Sequence, residues 1–228
     1  GGWSRGDARV IRVAWLVAGK DLRVEGRSRV LLWQVVPFGA MALLLSGLAL
    51  GPARAGRSSA APGLFFLVML FVTLLMVARS RALDAPAGTR DSIATLGLDP
   101  AGVFLGKTLA LAVELWVTGA LLLAGTVVVL HANLAGTLAA SGNVAVTLAA
   151  LAAAGVLHGA LSGGGEGSAT LLPLLSLPAF APLLIAGERA YSAALGRGGL
   201  WEWWTISLVA LVAYLGLGIL LYGVLDES

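Results

Sequence analysis

The 228-residue chain has no cysteine, few charges and only two histidines. The absence of cysteine excludes disulfides, thiolate metal sites and thioether-linked cofactors. Charged residues make up 12% of the chain and hydrophobic residues 58%. A single water-soluble core of this length cannot bury so much apolar surface, whereas the hydrocarbon region of a bilayer accepts it. The composition therefore predicts a membrane protein.

Six long apolar stretches follow the first 29 residues, and most charges lie between them. Each stretch is close to the ~20 residues that a helix needs to cross a ~30 Å hydrocarbon core, and none alternates as a barrel strand does. We therefore predict an all-α polytopic fold with an N-terminal segment, residues 1–29, and a six-helix membrane domain, residues 30–228. The predicted spans cover about 30–50, 63–78, 103–130, 144–161, 171–187 and 205–225.

Basic residues are distributed unevenly between the two sides of the predicted bundle. Seven Lys and Arg precede the first span and four more border the second loop, whereas the opposite side has four. The positive-inside rule then places both termini in the cytoplasm. The net charge of +3 is explained by anionic lipid headgroups, with no nucleic-acid partner.

The N-terminal segment has the pattern of an amphipathic helix lying along the membrane surface. Six of its seven basic residues fall within one arc of a helical wheel, while Ile11, Ala14, Ala18 and Leu22 point the other way. The alternative is a cytoplasmic leader that only sets the topology.

A short helix is predicted between the second and third spans, over residues 89–96. Pro86 and Gly88 break the chain before it, Thr89 can cap it and Gly97 can end it. After it, Asp99 and Pro100 predict the N-cap and first turn of the third span. A short helix held between two membrane helices is a docking element, and a plain loop is the alternative. Its candidate contact residues are Thr89, Arg90, Asp91, Ile93 and Leu96.

Few residues inside the spans have ionisable or reactive side chains, and none form a catalytic constellation. Glu114 lies deep in the third span, so it is expected to face the bundle in a functional or a structural hydrogen-bonding role. Proline interrupts helical hydrogen bonding, so the fifth span is expected to be bent or partly unwound at Pro173, Pro178 and Pro182. The cluster Trp201, Trp203 and Trp204 indicates an interfacial aromatic belt or a stacking platform.

Four stretches of the chain resemble the haem exporter protein B (CcmB) family, the permease subunits of system I cytochrome c maturation. They are Lys20-Asp21-Leu22-Arg23, Ala61-Pro62-Gly63-Leu64, Leu105-Gly106-Lys107, and the proline-leucine run of residues 171–178 with residues 182–186. The family has six membrane helices with both termini in the cytoplasm. Segment 79–99 departs from the family pattern, because it has three Asp and no Glu.

The resemblance implies a non-catalytic subunit of an ABC transporter in the bacterial inner membrane. ATP would act only through a CcmA-like ATPase that engages the predicted helix 89–96. CcmC-, CcmD- and CcmE-like haem-handling partners and a homodimer are further implied partners. Haem would be a transported or handled ligand, with no tightly bound cofactor, and His131 is a candidate ligand to its iron. Two alternatives stay open: another ABC-2-type permease exporting a lipid or drug, and a secondary transporter coupled through Glu114.

Overall fold

The computed structural model describes residues 5–28, 31–84, 99–161, 168–199 and 201–226, and these residues form helices joined by short turns. Seven α-helices follow in chain order: α1 Arg5–Ser28, α2 Val36–Ala49, α3 Arg54–Asp84, α4 Pro100–Val129, α5 Leu134–Leu161, α6 Ser168–Ser192 and α7 Trp201–Asp226. No strand is present in this part of the chain, which confirms the all-α prediction. Predicted helix 89–96 lies outside the described residues.

Each of the six predicted spans overlaps one of the helices α2–α7, but the helix boundaries differ. Four described helices are long and apolar enough to cross a bilayer: Ala55–Ala82, Pro100–Val129, Leu134–Leu161 and Trp201–Tyr222. Helix α3 is much longer than the predicted span 63–78, because its helical hydrogen bonding continues through Pro62 and through polar residues at both ends. Its 31 residues extend for ~46 Å, which exceeds the thickness of the hydrocarbon core.

Helix α2 is short, and a π-helical turn over Leu31–Val35 precedes it. Pro37 is the second residue of α2, a position where the missing N–H breaks no internal hydrogen bond. The irregular backbone near this proline is the π-helical turn before it.

The fifth predicted span is not unwound, and the expectation of a partly unwound segment is wrong. Helix α6 runs without interruption from Ser168 to Ser192 through all three prolines. Each proline removes only one donor, and the bonds on either side keep the backbone helical. The irregular turn comes later, as a π-helical turn over Ala193–Arg197 in which Gly196 has a φ of 91°. A bend at these prolines stays a prediction.

Helix α5 lies at the centre of the bundle and packs against α3, α4, α6 and α7. The core around it contains large buried side chains, among them Phe65, Met69, Leu115, Leu148 and Phe180. Turns of a few residues join α2 to α3 and α4 to α5, so these neighbouring helices run antiparallel.

Helix α1 packs along the first turns of α4, and its buried residues differ from the predicted apolar face. Val13 and Ala18 are buried, while Ile11, Trp15 and Leu16 are exposed. Of the predicted apolar face, Ala18 is thus buried in the bundle and Ile11 is exposed, and the amphipathic surface helix stays a prediction.

Candidate functional site

Two ends of the bundle are distinguished by their side chains. At one end, α3 finishes and α4 begins, and six charged residues of α1, α3 and α4 surround a cavity; we call this the charged end. At the other, α4 finishes and α5 begins, and the hydroxyl groups of Thr126, Thr137 and Tyr191 meet; we call this the hydroxyl end. Segment 85–98 connects the two helices of the charged end.

The start of α4 is built as the sequence predicts. Asp99 has extended backbone angles, and its carboxylate accepts a hydrogen bond from the amide of Ala101 at 3.0 Å. Pro100 is the first helical residue, where its missing N–H costs nothing. This cap fixes where α4 begins and therefore where segment 85–98 ends.

Two glycines of α4 allow α1 to approach closely. A Cβ added at Gly102 would lie 2.8 Å from the Cβ of Val13, and one added at Gly106 would lie 2.6 Å from the carbonyl oxygen of Ala14. Real Cβ atoms essentially never make contacts this short. Gly106 therefore has a packing function: it lets the backbone of α1 lie directly against α4.

An ion pair joins α1 to α3. Arg79 donates to one oxygen of Glu25, from Nε at 3.2 Å and from Nη2 at 3.1 Å. The side chains of Arg79 and Glu25 are 26% and 11% exposed, so water screens the pair only in part. The sequence did not predict this pair, although Arg79 lies near the end of the apolar helix α3 and Glu25 lies among basic residues.

The cavity at the charged end has a volume of about 170 Å³ and is bounded by three helices. Its charged lining residues are Lys20, Asp21 and Glu25 from α1, Arg79 from α3, and Lys107 and Glu114 from α4. Lys20 and Asp21 pair at 3.0 Å, and Lys107 is 9% exposed. Glu114 thus faces a cavity inside the bundle that charged residues of three helices line.

The hydroxyl end is held together by neutral groups. The Tyr191 hydroxyl lies 2.9 Å from the hydroxyl oxygens of both Thr126 and Thr137. Its ring is fully buried and makes an edge contact with Phe65 of α3. Tyr191 therefore joins α3, α4, α5 and α6 at one point. The sequence did not predict this cluster, because hydroxyl residues in apolar spans give no periodic signal.

The remaining predicted site residues are spread over the bundle. His131 follows α4 with a φ of 55°, a left-handed conformation that ends the helix near the hydroxyl end. Pro178 and Pro182 are exposed on α6, which also contains Pro173. Trp203 lines an open cleft of about 680 Å³ with Arg189 and Ser192, while Trp201 is exposed. Among the described residues, no three His, Asp or Glu side chains are grouped to hold a metal ion.

The sequence as a whole matches one protein family. The family model described as CcmB protein matches residues 12–221. The chain belongs to the CcmB family. Its members are membrane permease subunits of an ABC transporter in cytochrome c biogenesis and haem transport, and the long apolar helices fit a multi-pass membrane protein. No individual curated protein matches the chain.

Proposed function

We propose that this chain is the non-catalytic permease subunit of a cytochrome c maturation complex, driven by a separate ATPase that docks at the charged end. In this proposal α2–α7 all cross a bacterial inner membrane, residues 30–228 form the membrane domain, and α1 lies along the cytoplasmic surface. The observation that carries it is the attachment of α1 to both helices that flank segment 85–98. Glu25 holds α1 to α3, and Gly102 and Gly106 hold it to α4.

The attachment suggests how a movement of the ATPase would reach the bundle. A push on segment 85–98 acts on the last turn of α3 and on the capped first turn of α4. Because α1 is fastened to both, the three helices would move together as a rigid unit. Packed helices shift between discrete arrangements, so a small displacement here would tilt α4 against α5. We call α1 and these two helix ends the coupling unit.

Haem enters the proposal as cargo that the complex exports or releases on its chaperone. CcmC-, CcmD- and CcmE-like partners would handle it, and a second copy of the permease would complete the transporter. His131 lies near the hydroxyl end, which would be the outer side, so an iron-ligand role for it would belong to the release step.

The docking test uses segment 85–98. Replacing Ile93 and Leu96 with Asp is expected to abolish recovery of the ATPase with the permease and to stop cytochrome c maturation, since apolar docking residues become charged. The matched control replaces Ser92 and Thr95 with Asp, which adds the same charge one position away on the predicted helix. If both pairs of substitutions leave recovery and maturation intact, the ATPase docks elsewhere; equal losses would indicate a docking loop rather than a helix.

The orientation has its own test. The excess of basic residues predicts that a reporter fused after Ser228 is active in the cytoplasm and that one inserted at Gly199 is active outside. The reverse pattern would place the charged end outside and remove the basis for docking there.

A further inference from the structure

Glu114 occupies the middle of a helix that is long enough to cross the membrane. It lies fourteen residues after Pro100 in the thirty-residue helix α4, or ~21 Å along a ~45 Å helix. An ionised carboxylate at this depth is strongly unfavourable in contact with hydrocarbon. In this structure, however, its side chain lines the cavity of the charged end.

The cavity connects Glu114 with the surface of the bundle. Lys20 lines it and has a side chain that is 54% exposed, so the cavity reaches the outer surface of the bundle beside a charged ammonium group. Lys107 lies two helical turns below Glu114 on the same face of α4 and also lines the cavity. A volume of about 170 Å³ holds on the order of five water molecules at ~30 Å³ each.

The charges around Glu114 come from the two helices that share the cavity with α4. Helix α1 contributes Lys20 with Asp21 and Glu25, and α3 contributes Arg79. Asp21 and Glu25, the two acidic residues of α1 that line the cavity, already have a cation within 4 Å. The other helices packed on α4 bring little charge: α2 has none, His158 of α5 contacts Phe180 and Tyr214 instead, and Glu202 and Asp226 lie at the two ends of α7.

We propose that the cavity is a water-filled path from the charged end to a proton-binding site at Glu114. The carboxylate takes a proton from cavity water and becomes a neutral carboxyl group, and the reverse step returns the proton to the same water. Protonation removes the repulsion from Asp21 and Glu25, so the charge of the cavity changes by one unit. The cytoplasmic location of this path rests on the orientation proposed above, whereas the path itself does not.

Water access is tested by single cysteines, since the chain has none of its own. Glu114→Cys in sealed vesicles is expected to react with a membrane-impermeant thiosulfonate added to the cytoplasmic side. Val117→Cys, on the exposed face of the same helix, is the matched control, because a thiol in hydrocarbon does not ionise. The expected rate is at least about tenfold higher for Glu114→Cys.

Equal rates for the two variants would overturn the proposal. Reaction only from the opposite side would keep the path but reverse the orientation, and would count against the proposed docking surface. If Glu114→Cys does not insert, Ala110→Cys gives the same comparison from another residue of the cavity lining. Neither cysteine-labelling experiment requires the ATPase, so the labelling result is independent of the docking test.

Proton binding is tested by infrared difference spectra of the purified chain as the pH is lowered through the neutral range. The carboxyl band that grows in the wild type is expected to be lost in Glu114→Gln. It is expected to persist in Glu202→Gln, which removes an exposed carboxyl group from the far end of α7. A band that is unchanged in Glu114→Gln would show that the water path ends at a carboxylate that does not titrate, and would overturn the proton site.

Discussion

The charged end and the hydroxyl end hold the same helix, α4, by different means. At the charged end α4 contacts α1 at two glycines, and together with α1 and α3 it lines a cavity that contains charged residues. At the hydroxyl end it joins α5 and α6 through hydroxyl groups around a fully buried tyrosine ring. The cavity at the charged end leaves room for the three helices of the coupling unit to shift together, whereas the packed aromatic ring at the hydroxyl end cannot move without opening a void. The comparison indicates a bundle that is fixed at one end and adjustable at the other.

The largest expected effect comes from reversing one charge of the pair between α1 and α3. Arg79→Glu places two carboxylates together in a partly buried site, and Glu25→Arg places two cations there. Breaking a fully buried pair costs about 3–5 kcal/mol. Because Arg79 is a quarter exposed, we expect about 2–3 kcal/mol of lost unfolding free energy, with loss of maturation activity.

The double reversal, Glu25→Arg with Arg79→Glu, is expected to restore most of the unfolding free energy and most of the maturation activity. The exchange of Lys20 and Asp21, a pair within α1 that is about twice as exposed, is the control and should cost no more than about 0.5 kcal/mol. Thermal unfolding in detergent measures the change in unfolding free energy, and the yield of cytochrome c in cells measures maturation activity. A double variant no better than the single ones would mean that the pair does not fasten α1 to α3.

A side chain at Gly106 is expected to have the next largest effect. The methyl group of Gly106→Ala would lie 2.6 Å from the carbonyl oxygen of Ala14, so α1 must move away from α4. Overpacking of this kind costs about 1–3 kcal/mol. Gly216→Ala in α7 is the matched control, since nothing lies within 4 Å of its added carbon, and it should gain about 1 kcal/mol in helix propensity.

The readout for Gly106→Ala should include the position of α1 as well as stability. A disulfide between cysteines introduced at Val13 and Val103 would report whether α1 still packs on α4, because both side chains belong to one buried cluster. Cross-linking at wild-type yield in Gly106→Ala would show that α1 tolerates the added methyl group and is not held by this contact.

The sequence predicted the helices better than it predicted their connections. Apolar length located part of each of the helices α2–α7, and Asp99 with Pro100 located the start of α4, because these signals are local. The ends of α3 and the unbroken course of α6 were missed, since neighbouring turns decide whether a helix continues through Pro62 or Pro178. Glu25 with Arg79 and the cluster at Tyr191 join residues at least 54 positions apart, and one sequence holds no record of such contacts.

Glu114 shows the same limit of prediction from sequence. Its place in an apolar span predicted that it faces the bundle, and the cavity confirms that orientation. The identity of its neighbours depends on how α1 lies against α3 and α4, which is a tertiary property. The proposed contact residues in 89–96, the bend at the three prolines and the role of His131 stay predictions for the same reason.

The smallest expected effect lies at the hydroxyl end, in Tyr191→Phe. The phenylalanine keeps the ring and its contact with Phe65, while Thr126 and Thr137 keep their bonds to backbone carbonyls at 2.7 and 2.9 Å. Only the hydrogen bond that the tyrosine hydroxyl donates to one of the two threonines is lost, so we expect about 1 kcal/mol of destabilisation. Tyr214→Phe, which removes one 3.1 Å bond to the carbonyl of Ala179, should cost less. If the hydroxyl end is a fixed support, unfolding will shift while ATPase recovery and labelling of Glu114→Cys stay unchanged; a change in either would show that this end also moves.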